Sequence, residues 1–231
     1  MTSDQLQFLS EKISGFQDFA FLLRGLSFDR LPGLEAQLKL APINRKSEIS
    51  SLGNGKNAVK SAVLFLFFPD EQGRTTTVFI KRPEYNGAHS GQISFPGGRY
   101  ESSDPGLDYT ALREAHEEIG VPPSDVELVG KLSDLFIPPS NYIVSPYLGL
   151  AKQRPAFVPE PSEVAGIIEI KLPEFFQPAN CQTKQITLIG GYSLQTPCYI
   201  IDGHVIWGAT AMMVSEFLEL ISSGLSAGKG K

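Results

Sequence analysis

Three glutamates near the middle of the chain have the spacing of a metal site. Glu114, Glu117 and Glu118 stand at i, i+3 and i+4, so a helix would place their carboxylates on one face, with neighbouring Cβ atoms about 5–6 Å apart. Like charges this close destabilise a helix by roughly a few tenths of a kcal/mol per pair, and a cation would offset the repulsion. Hard divalent ions such as Mg²⁺ or Mn²⁺ prefer carboxylate and carbonyl oxygens. An acidic helix face is more often simply exposed to solvent than bound to metal. The residues around the glutamates are therefore needed to distinguish a metal site from a solvated face.

The residues around the glutamates favour metal binding. Phe95-Pro96-Gly97-Gly98 precedes the predicted helix by a short loop, and paired glycines allow close backbone approach and leave a carbonyl free to point into a site. Arg113 stands beside Glu114 and can orient a carboxylate through its planar guanidinium.

The glutamates must be carried by a helix of about three turns. Asp108 is a good N-cap, and Gly120 followed by Pro122 is a good stop, so the sequence predicts a helix over 109–119. The opposite side of this helix is apolar and is expected to pack on a sheet: Leu112, Ala115 and Ile119.

Strands outnumber helices in the rest of the chain, which predicts a mixed sheet flanked by helices. Residues 62–68 and 75–81 are rich in β-formers and flank a turn, so they read as a hairpin. A helix is expected after Thr210, with Gly224 as its stop. The further strand predictions are 126–136, 142–151, 164–170, 185–189 and 199–206.

The N-terminal part is predicted to be a helical extension. At 231 residues the chain is about one and a half times the usual domain length, so we expect one domain with an extension. Apolar residues recur at helical spacing over 5–13, 19–26 and 34–40, and residues 51–56 read as a linker. The predicted division is 1–55 for the extension and 56–231 for the main domain.

Composition narrows the possible partners. The 20 basic residues are outnumbered by 25 acidic ones and never cluster beyond adjacent pairs, which disfavours nucleic-acid binding. The longest apolar run, 62–68, is far shorter than the roughly 20 residues of a membrane helix. The sequence has no signal-peptide pattern, and its two cysteines are expected to be inert. We therefore predict a cytoplasmic protein without a membrane partner.

The glutamate segment resembles the signature of the Nudix hydrolases. That signature is Gly, five residues, Glu, seven residues, then Arg-Glu-apolar-x-Glu-Glu-x-Gly-apolar. Here the second half, Arg113 to Val121, matches at every specified position. In the first half Asp104 stands in place of Glu, and the spacer that follows it is one residue longer. The extra residue falls in a loop, where insertions cost little.

One branch of the family, the coenzyme A pyrophosphatase-like proteins, is similar over a longer stretch. Its upstream motif is matched by Arg82, Gly91 and 95–98, whereas Ile80, Pro83 and Gly87 depart from it. The resemblance covers about 60–223 and implies a Nudix fold, an α/β/α sandwich with a mixed β-sheet.

The resemblance implies metal-dependent hydrolysis of the diphosphate in a small nucleotide derivative, with Mg²⁺ or Mn²⁺ as cofactor. The metal ligands would be Glu114, Glu117 and Glu118 with the Gly98 carbonyl. Glu114 or Glu163 would deprotonate the attacking water, and Arg113 would orient Glu114 rather than contact substrate. Arg82 and Arg99 are candidate phosphate-binding residues.

The remaining candidates have ordinary structural interpretations. His116 occupies a variable position of the signature and is expected to have a surface or packing role. His204 is expected to be structural or adjacent to a turn. His89, in the loop before Phe95, is undecided. Trp207 is expected in the core, because large apolar side chains are usually buried.

Coenzyme A or a relative is the leading substrate. ADP-ribose or another nucleoside diphosphate sugar is the alternative, and two different classes also stay open: a Nudix-fold nucleotide sensor without turnover and a purely structural acidic helix. The extension covers the pocket or builds a dimer interface, and a homodimer is the favoured prediction.

Overall fold

The computed structural model describes residues 3–43, 57–84, 90–187, 191 and 193–227. The helices are α1 (Ser3–Lys12), α2 (Phe16–Arg24), α3 (Gly33–Leu38), α4 (Leu107–Ile119) and α5 (Gly208–Ala227). The strands are β1 (Val59–Pro69), β2 (Thr75–Lys81), β3 (Ile93–Ser94), β4 (Gly97–Arg99), β5 (Val126–Lys131), β6 (Leu135–Ile137), β7 (Tyr142–Ala151), β8 (Gly166–Lys171), β9 (Cys181–Thr187), β10 (Ser193–Ile201) and β11 (His204–Trp207). Within these described ranges, no helix is long and apolar enough to cross a membrane.

The main sheet is mixed and centres on β1. Its strand order is β3-β2-β1-β7-β5, with β4 paired to β1, β6 to β7 and β8 to β2. β1 and β7 run parallel, whereas the other pairs are antiparallel. The predicted hairpin is confirmed by the pairing of Phe67 with Thr77. A smaller antiparallel sheet has the order β11-β10-β9.

Alternating residues of β1 are buried on opposite faces of the main sheet. Leu64 and Leu66 share one core cluster with apolar residues of α4, whereas Phe65 and Phe67 share the other cluster with residues of α5. Side chains alternate along a strand, so a central strand covered on both faces must be apolar throughout. The predicted α/β/α sandwich with a mixed sheet is confirmed.

The N-terminal helices pack into the core on the α5 face. Phe19 of α2 is fully buried, and its ring centroid lies 4.9 Å from that of Phe67. The three predicted helices are therefore present, although they share a core with the sheet. The predicted linker, 51–56, and the boundary at 55/56 lie outside the described residues, and the boundary stays a prediction.

A buried carboxylate joins this N-terminal region to the rest of the chain. Glu216 of α5 is fully buried and accepts hydrogen bonds from the backbone N–H groups of Gly33 and Ser133, each at 3.1 Å. Its second oxygen accepts from the Gln37 side-chain amide at 2.7 Å. One side chain thus connects α3, the turn between β5 and β6, and α5.

We expect Glu216→Ala to lower the free energy of unfolding by about 3 kcal/mol or more, because three donors that bind this buried carboxylate lose their acceptor. The matched control is Glu219→Ala on the same helix, whose exposed pair with Lys39 should be worth less than about 1 kcal/mol. Urea denaturation of both variants measures the difference, and equal losses would contradict the assigned role of Glu216.

Two strand predictions are wrong because turns interrupt them. The predicted strand 126–136 is two strands, since the backbone N–H of Ser133 turns away from the sheet to bind Glu216. The predicted strand 199–206 is the hairpin of β10 and β11. Asp202 and Gly203 have φ of 51° and 80° at its turn, as an Asp-Gly hairpin turn requires.

Three further boundaries differ from the predictions. β8 begins at Gly166 rather than at 164, because the N–H of Val164 closes a turn onto the Glu160 carbonyl at 2.8 Å. β9 is Cys181–Thr187 rather than 185–189, and 188–190 lie outside the described residues. Helix α5 continues through Gly224, which is a close-packing position and not a stop. A Cβ there would overlap the side chain of Leu26.

Candidate active site

The glutamate helix α4 begins two residues earlier than predicted. Its N-cap is Gly106 in an extended conformation, with no side-chain cap, so the prediction of Asp108 as N-cap is wrong. Asp108 lies in the first turn, where the helix dipole favours a negative charge. The predicted stop is confirmed: Gly120 has φ of 73°, and its N–H bonds the His116 carbonyl at 2.9 Å.

Glu118 is a buried carboxylate held against the strand β4. Its side chain is only 3% exposed, and Oε2 accepts the backbone N–H of Gly97 at 2.7 Å. Burial raises the pKa of Glu118 to about 8, although the Gly97 N–H and the nearby Arg82 charge lower it. The charges of Glu114 and Glu163 raise this pKa further. Ionisation of Glu118 is therefore disfavoured at neutral pH, and an added cation would favour it.

Glu114 lies one turn before Glu118 and is partly buried. Burial also raises the pKa of Glu114, and the neighbouring Arg113 opposes that shift. The carboxylate lies directly beside Gly98, where a Cβ would overlap it. A side chain at Gly98 is thus incompatible with this position of the Glu114 carboxylate.

Arg113 binds the surrounding acidic groups through its whole guanidinium. Nε and Nη2 contact the two carboxylate oxygens of Asp104 at 2.9 and 3.1 Å, and Nη2 also lies 2.9 Å from Glu114 Oε1. Nη1 contacts Glu117 Oε2 at 2.7 Å, and Nη2 donates to the Arg99 carbonyl at 3.0 Å. This network determines where the Glu114 carboxylate lies.

Asp104 is a site residue that sequence reasoning did not assign. It is only 3% exposed, and besides Arg113 it accepts hydrogen bonds from the Thr110 hydroxyl at 2.8 Å and the Glu101 N–H at 3.1 Å. The hydrogen bond from Arg113 is the main reason that the pKa of Asp104 falls to about 2. The sequence offered one signal for this role. Asp104 stands where the signature has Glu, and Arg113 follows it in the same motif.

The three glutamates are not equivalent. Glu117 is exposed, is bound by Arg113 and does not line the cavity beside α4, although helical spacing predicts a shared face. Across the described ranges, no three acidic, His or Cys side chains already surround one point as a preformed metal site. The Gly97 N–H binds one carboxylate oxygen of Glu118, and Arg113 binds one carboxylate oxygen of Glu114.

A cavity of about 1080 Å³ lies in front of Glu114 and Glu118. Most of the predicted site residues line it: Gly98, Glu114, Glu118, Glu163, Arg82 and Arg99. Among the described residues, Arg82 Nε is buried and has no hydrogen-bond partner. Arg113 and Glu117 lie outside the lining, and Arg113 contacts the lining residue Glu114.

Glu163 reaches the cavity from the loop before β8. The N–H of Glu160 bonds the carbonyl of Glu118 at 2.9 Å, and the N–H of Val158 bonds the carbonyl of Ile119 at 3.0 Å. The loop is thereby attached to the end of α4. Glu163 itself is exposed and lines the cavity, and its charge raises the pKa of both cavity glutamates.

The remaining candidates divide between surface and cavity. His116 is exposed, as predicted, and His89 lies outside the described residues. His204 begins β11 beside the turn, and it also lines the cavity. The prediction that Trp207 lies in the core is wrong, because Trp207 is only partly buried and its other side faces the cavity.

Both cysteines match the prediction of inert thiols. Burial raises the pKa of Cys181 and of Cys198, so neither is activated as a thiolate.

Substitutions of the two glycines of β4 should have different effects, one on activity and the other on stability. Gly98→Ala is expected to lower activity at least about tenfold with little loss of stability, because its Cβ displaces only the end of the Glu114 side chain. Gly97→Ala should destabilise the protein instead, since Gly97 has φ of 151° and its Cβ would overlap the backbone of Ala62. Thermal unfolding and steady-state kinetics on both variants test this, and a large loss of stability in Gly98→Ala would contradict it.

Comparison with known proteins gives the family. A family model described as the NUDIX domain matches residues 59–184. "Uncharacterized Nudix hydrolase NudL" of Yersinia pestis (strain Pestoides F) is 34% identical over 148 residues, which cover 64% of this chain and 73% of the relative.

Solved structures with lower identity are also similar. A Nudix hydrolase from M. smegmatis, RenU, has a TM-score of 0.49 and 16% identity, over 72% of this chain and 87% of RenU. The Nudix domain of Shewanella oneidensis NrtR, solved with ADP-ribose, has a TM-score of 0.42 and 18% identity, over 57% of this chain and 85% of that domain. The domain match over more than half of the chain, together with the relative at 34% identity, shows that this protein belongs to the Nudix hydrolases and is an enzyme acting on phosphoanhydride bonds.

Proposed function

We propose that the protein is a metal-dependent pyrophosphohydrolase that cleaves the diphosphate of a small nucleotide derivative, with coenzyme A or a relative as the leading substrate. The observation that carries the proposal is the pairing of two carboxylates of raised pKa, Glu114 and Glu118, with two arginines around one cavity. A diphosphate is densely anionic and would be repelled by the acidic wall alone. Bound cations remove that repulsion, and Arg82 and Arg99 can then contact the phosphate oxygens.

The residues fit a divalent cation such as Mg²⁺ or Mn²⁺. Carboxylates are the ligands that these ions prefer. Burial raises the pKa of Glu118 and of Glu114, and a bound cation would favour their ionised forms. Glu114, Glu118 and the Gly98 carbonyl line the cavity and would hold the metal, whereas Glu117, the third expected ligand, lies outside the lining. When bound, the metal neutralises charge on the phosphate oxygens and lowers the pKa of water.

The residues of the chain would then perform hydrolysis as follows. Glu114 or Glu163 accepts a proton from water as the water oxygen attacks one phosphorus, and the bond from that phosphorus to the bridging oxygen breaks. The leaving phosphate carries away the electron pair of the broken bond. Arg113 is a positioning residue, because its guanidinium contacts Glu114 from outside the cavity.

The leading substrate rests on the partial match of the upstream motif. Arg82 directly follows β2, Gly91 lies shortly before β3, and both residues line the cavity. The departing position Gly87 lies outside the described residues. ADP-ribose and other nucleoside diphosphate sugars are the alternative substrates.

A substrate panel tests the proposal. Coenzyme A, ADP-ribose, a dinucleoside polyphosphate and NADH are each incubated with the enzyme and Mg²⁺ or Mn²⁺, and the phosphate products are identified. Cleavage of coenzyme A into two phosphomonoesters supports the leading substrate, whereas faster cleavage of ADP-ribose supports the alternative. Saturable binding without any cleavage would mean a nucleotide sensor and would overturn the proposed turnover.

The assembly of the chain stays a proposal as well. We propose a homodimer in which residues 1–55 contribute contacts, to be tested by sedimentation of the full chain. The burial of Phe19 against Phe67 supports the N-terminal helices as an integral layer of the domain.

A further inference from the structure

The cavity is lined by two chemically different walls that come from opposite faces of the sheet. Helix α4, which carries Glu114 and Glu118, packs in the core cluster of Leu64 and Leu66. Helix α5, which contributes Met212 and Met213 to the cavity, packs in the cluster on the other face. The proposed chemistry uses only the charged wall on the α4 side, and the wall on the α5 side has no role in it.

The wall on the α5 side is aromatic and apolar. It contains Trp207 and His204 of β11, Tyr142 at the start of β7 and Phe136 of β6, together with the two methionines. All four aromatic or imidazole groups are only partly buried, so each keeps surface facing the cavity. A partly exposed Trp in a cavity can stack on a planar ligand group, and an imidazole can both donate and accept a hydrogen bond.

The size of the cavity leaves room for an organic group beside the diphosphate. Pockets that bury a drug-sized ligand are typically about 300–1,000 Å³, and this cavity has about 1080 Å³. A diphosphate at Arg82 and Glu118 would fill only its charged side. A nucleotide carries its planar base several bonds from the scissile bond, which suits a separate apolar wall.

We propose that the aromatic base of the substrate binds on the α5 side of the cavity, stacked on Trp207, and that His204 hydrogen-bonds the ribose or phosphate of the same nucleotide. Trp207 and His204 are three residues apart on β11 and point to opposite faces of the strand, so they contact different parts of the ligand. This inference rests on the proposed function, since it assumes a nucleotide substrate. Both residues would determine the affinity for the nucleotide and would take no part in the chemistry.

Trp207 is the only tryptophan of the chain, so selectively excited tryptophan fluorescence reports on this wall alone. We titrate the enzyme in Mg²⁺ with AMP, with ribose 5-phosphate as a matched probe without a base, and with pantetheine as a flexible apolar probe. None of the three contains a diphosphate, so none is turned over. AMP should quench the Trp207 emission saturably, and ribose 5-phosphate should not. His204→Ala should weaken the AMP effect severalfold. No saturable quenching by AMP, an equal effect of ribose 5-phosphate, or a response to pantetheine alone would overturn the proposal.

Kinetics with whichever panel substrate is cleaved provide a second readout. Trp207→Ala should raise KM roughly tenfold or more with little change in kcat, and Trp207→Phe should retain most of the affinity. Phe21→Ala, which removes an aromatic ring that is 82% exposed and lies outside the cavity, is the control and should change neither constant. If no substrate is cleaved but AMP still quenches Trp207, the proposed function fails and this inference stands. If a substrate is cleaved, but AMP does not quench the Trp207 emission and the Trp207 variants keep the wild-type KM and kcat, only this inference fails.

Discussion

Glu118→Gln is expected to lower kcat at least about a hundredfold, because it removes the buried carboxylate charge that a divalent cation needs. The variant should keep its fold, since the glutamine side-chain oxygen can still accept the Gly97 N–H at the 2.7 Å position. Steady-state rates at saturating Mg²⁺ or Mn²⁺ measure the effect. Activity within a few-fold of the wild type would contradict the role proposed for Glu118.

The stability of the same variant gives an independent check. The raised pKa of Glu118 means that the folded metal-free protein resists ionisation of this group. Its burial therefore costs stability as pH rises from the ordinary glutamate pKa, about 4.5, towards about 8. Metal-free Glu118→Gln should thus unfold at the same or a higher temperature than the wild type at neutral pH. Glu219→Gln, an exposed helix glutamate outside the cavity, is the control and should change neither activity nor stability by much.

Asp104→Asn has the second large expected effect, on both stability and activity. The substitution preserves the size of the side chain but removes the charge that binds Arg113 through two contacts at 2.9 and 3.1 Å. We expect a loss of about 2 kcal/mol in the free energy of unfolding, as for a buried hydrogen bond to a charged group. Because Arg113 also holds Glu114, kcat should fall roughly tenfold.

The pH dependence of this loss has a definite sign. The pKa of Asp104 is lowered in the folded protein to about 2, so its contribution is fully present above the ordinary aspartate pKa, 3.8, and is lost as pH falls towards 2. Denaturation of wild type and Asp104→Asn between pH 7 and pH 2 should show their difference shrinking over that acid range. Asp108→Asn, at an exposed position in the first turn of α4, is the control and should cost less than about 1 kcal/mol. A constant difference between wild type and Asp104→Asn at all pH values would contradict the assignment.

Local signals made the helix, the hairpin and the layered architecture predictable. Gly120 ends α4 because a left-handed residue is needed there, and β1 is apolar throughout because both of its faces are covered. These features depend on residues near each other in sequence or on a periodic pattern. They could therefore be inferred without any knowledge of distant contacts.

Long-range contacts account for what was missed. Gly224 reads as a helix stop in isolation, but Leu26, nearly two hundred residues earlier in the chain, packs against it. The strand over 126–136 is interrupted because a carboxylate on α5 binds the Ser133 N–H. Neither partner is adjacent in sequence, so no local pattern reveals the interaction.

The candidate site shows the same division. The motif identified the glutamates, yet spacing alone treats Glu117 and Glu118 as equal, whereas the strand β4 covers one and leaves the other exposed. The role of Asp104 needed the loop geometry that brings it to Arg113. Trp207 was assigned to the core because large apolar side chains are usually buried, and the cavity beside it is formed by elements far apart in the chain.

The central claim is that the glutamate-lined cavity hydrolyses a diphosphate only with a divalent cation. The most direct measurement is ³¹P NMR of coenzyme A and of ADP-ribose incubated with wild type and with Glu118→Gln, in Mg²⁺ or Mn²⁺ and again in excess EDTA. Our account predicts that the diphosphate signal of at least one substrate is replaced by two phosphomonoester signals, with wild type and metal only. Cleavage that persists in EDTA or in Glu118→Gln, or intact diphosphate in every sample, would contradict it.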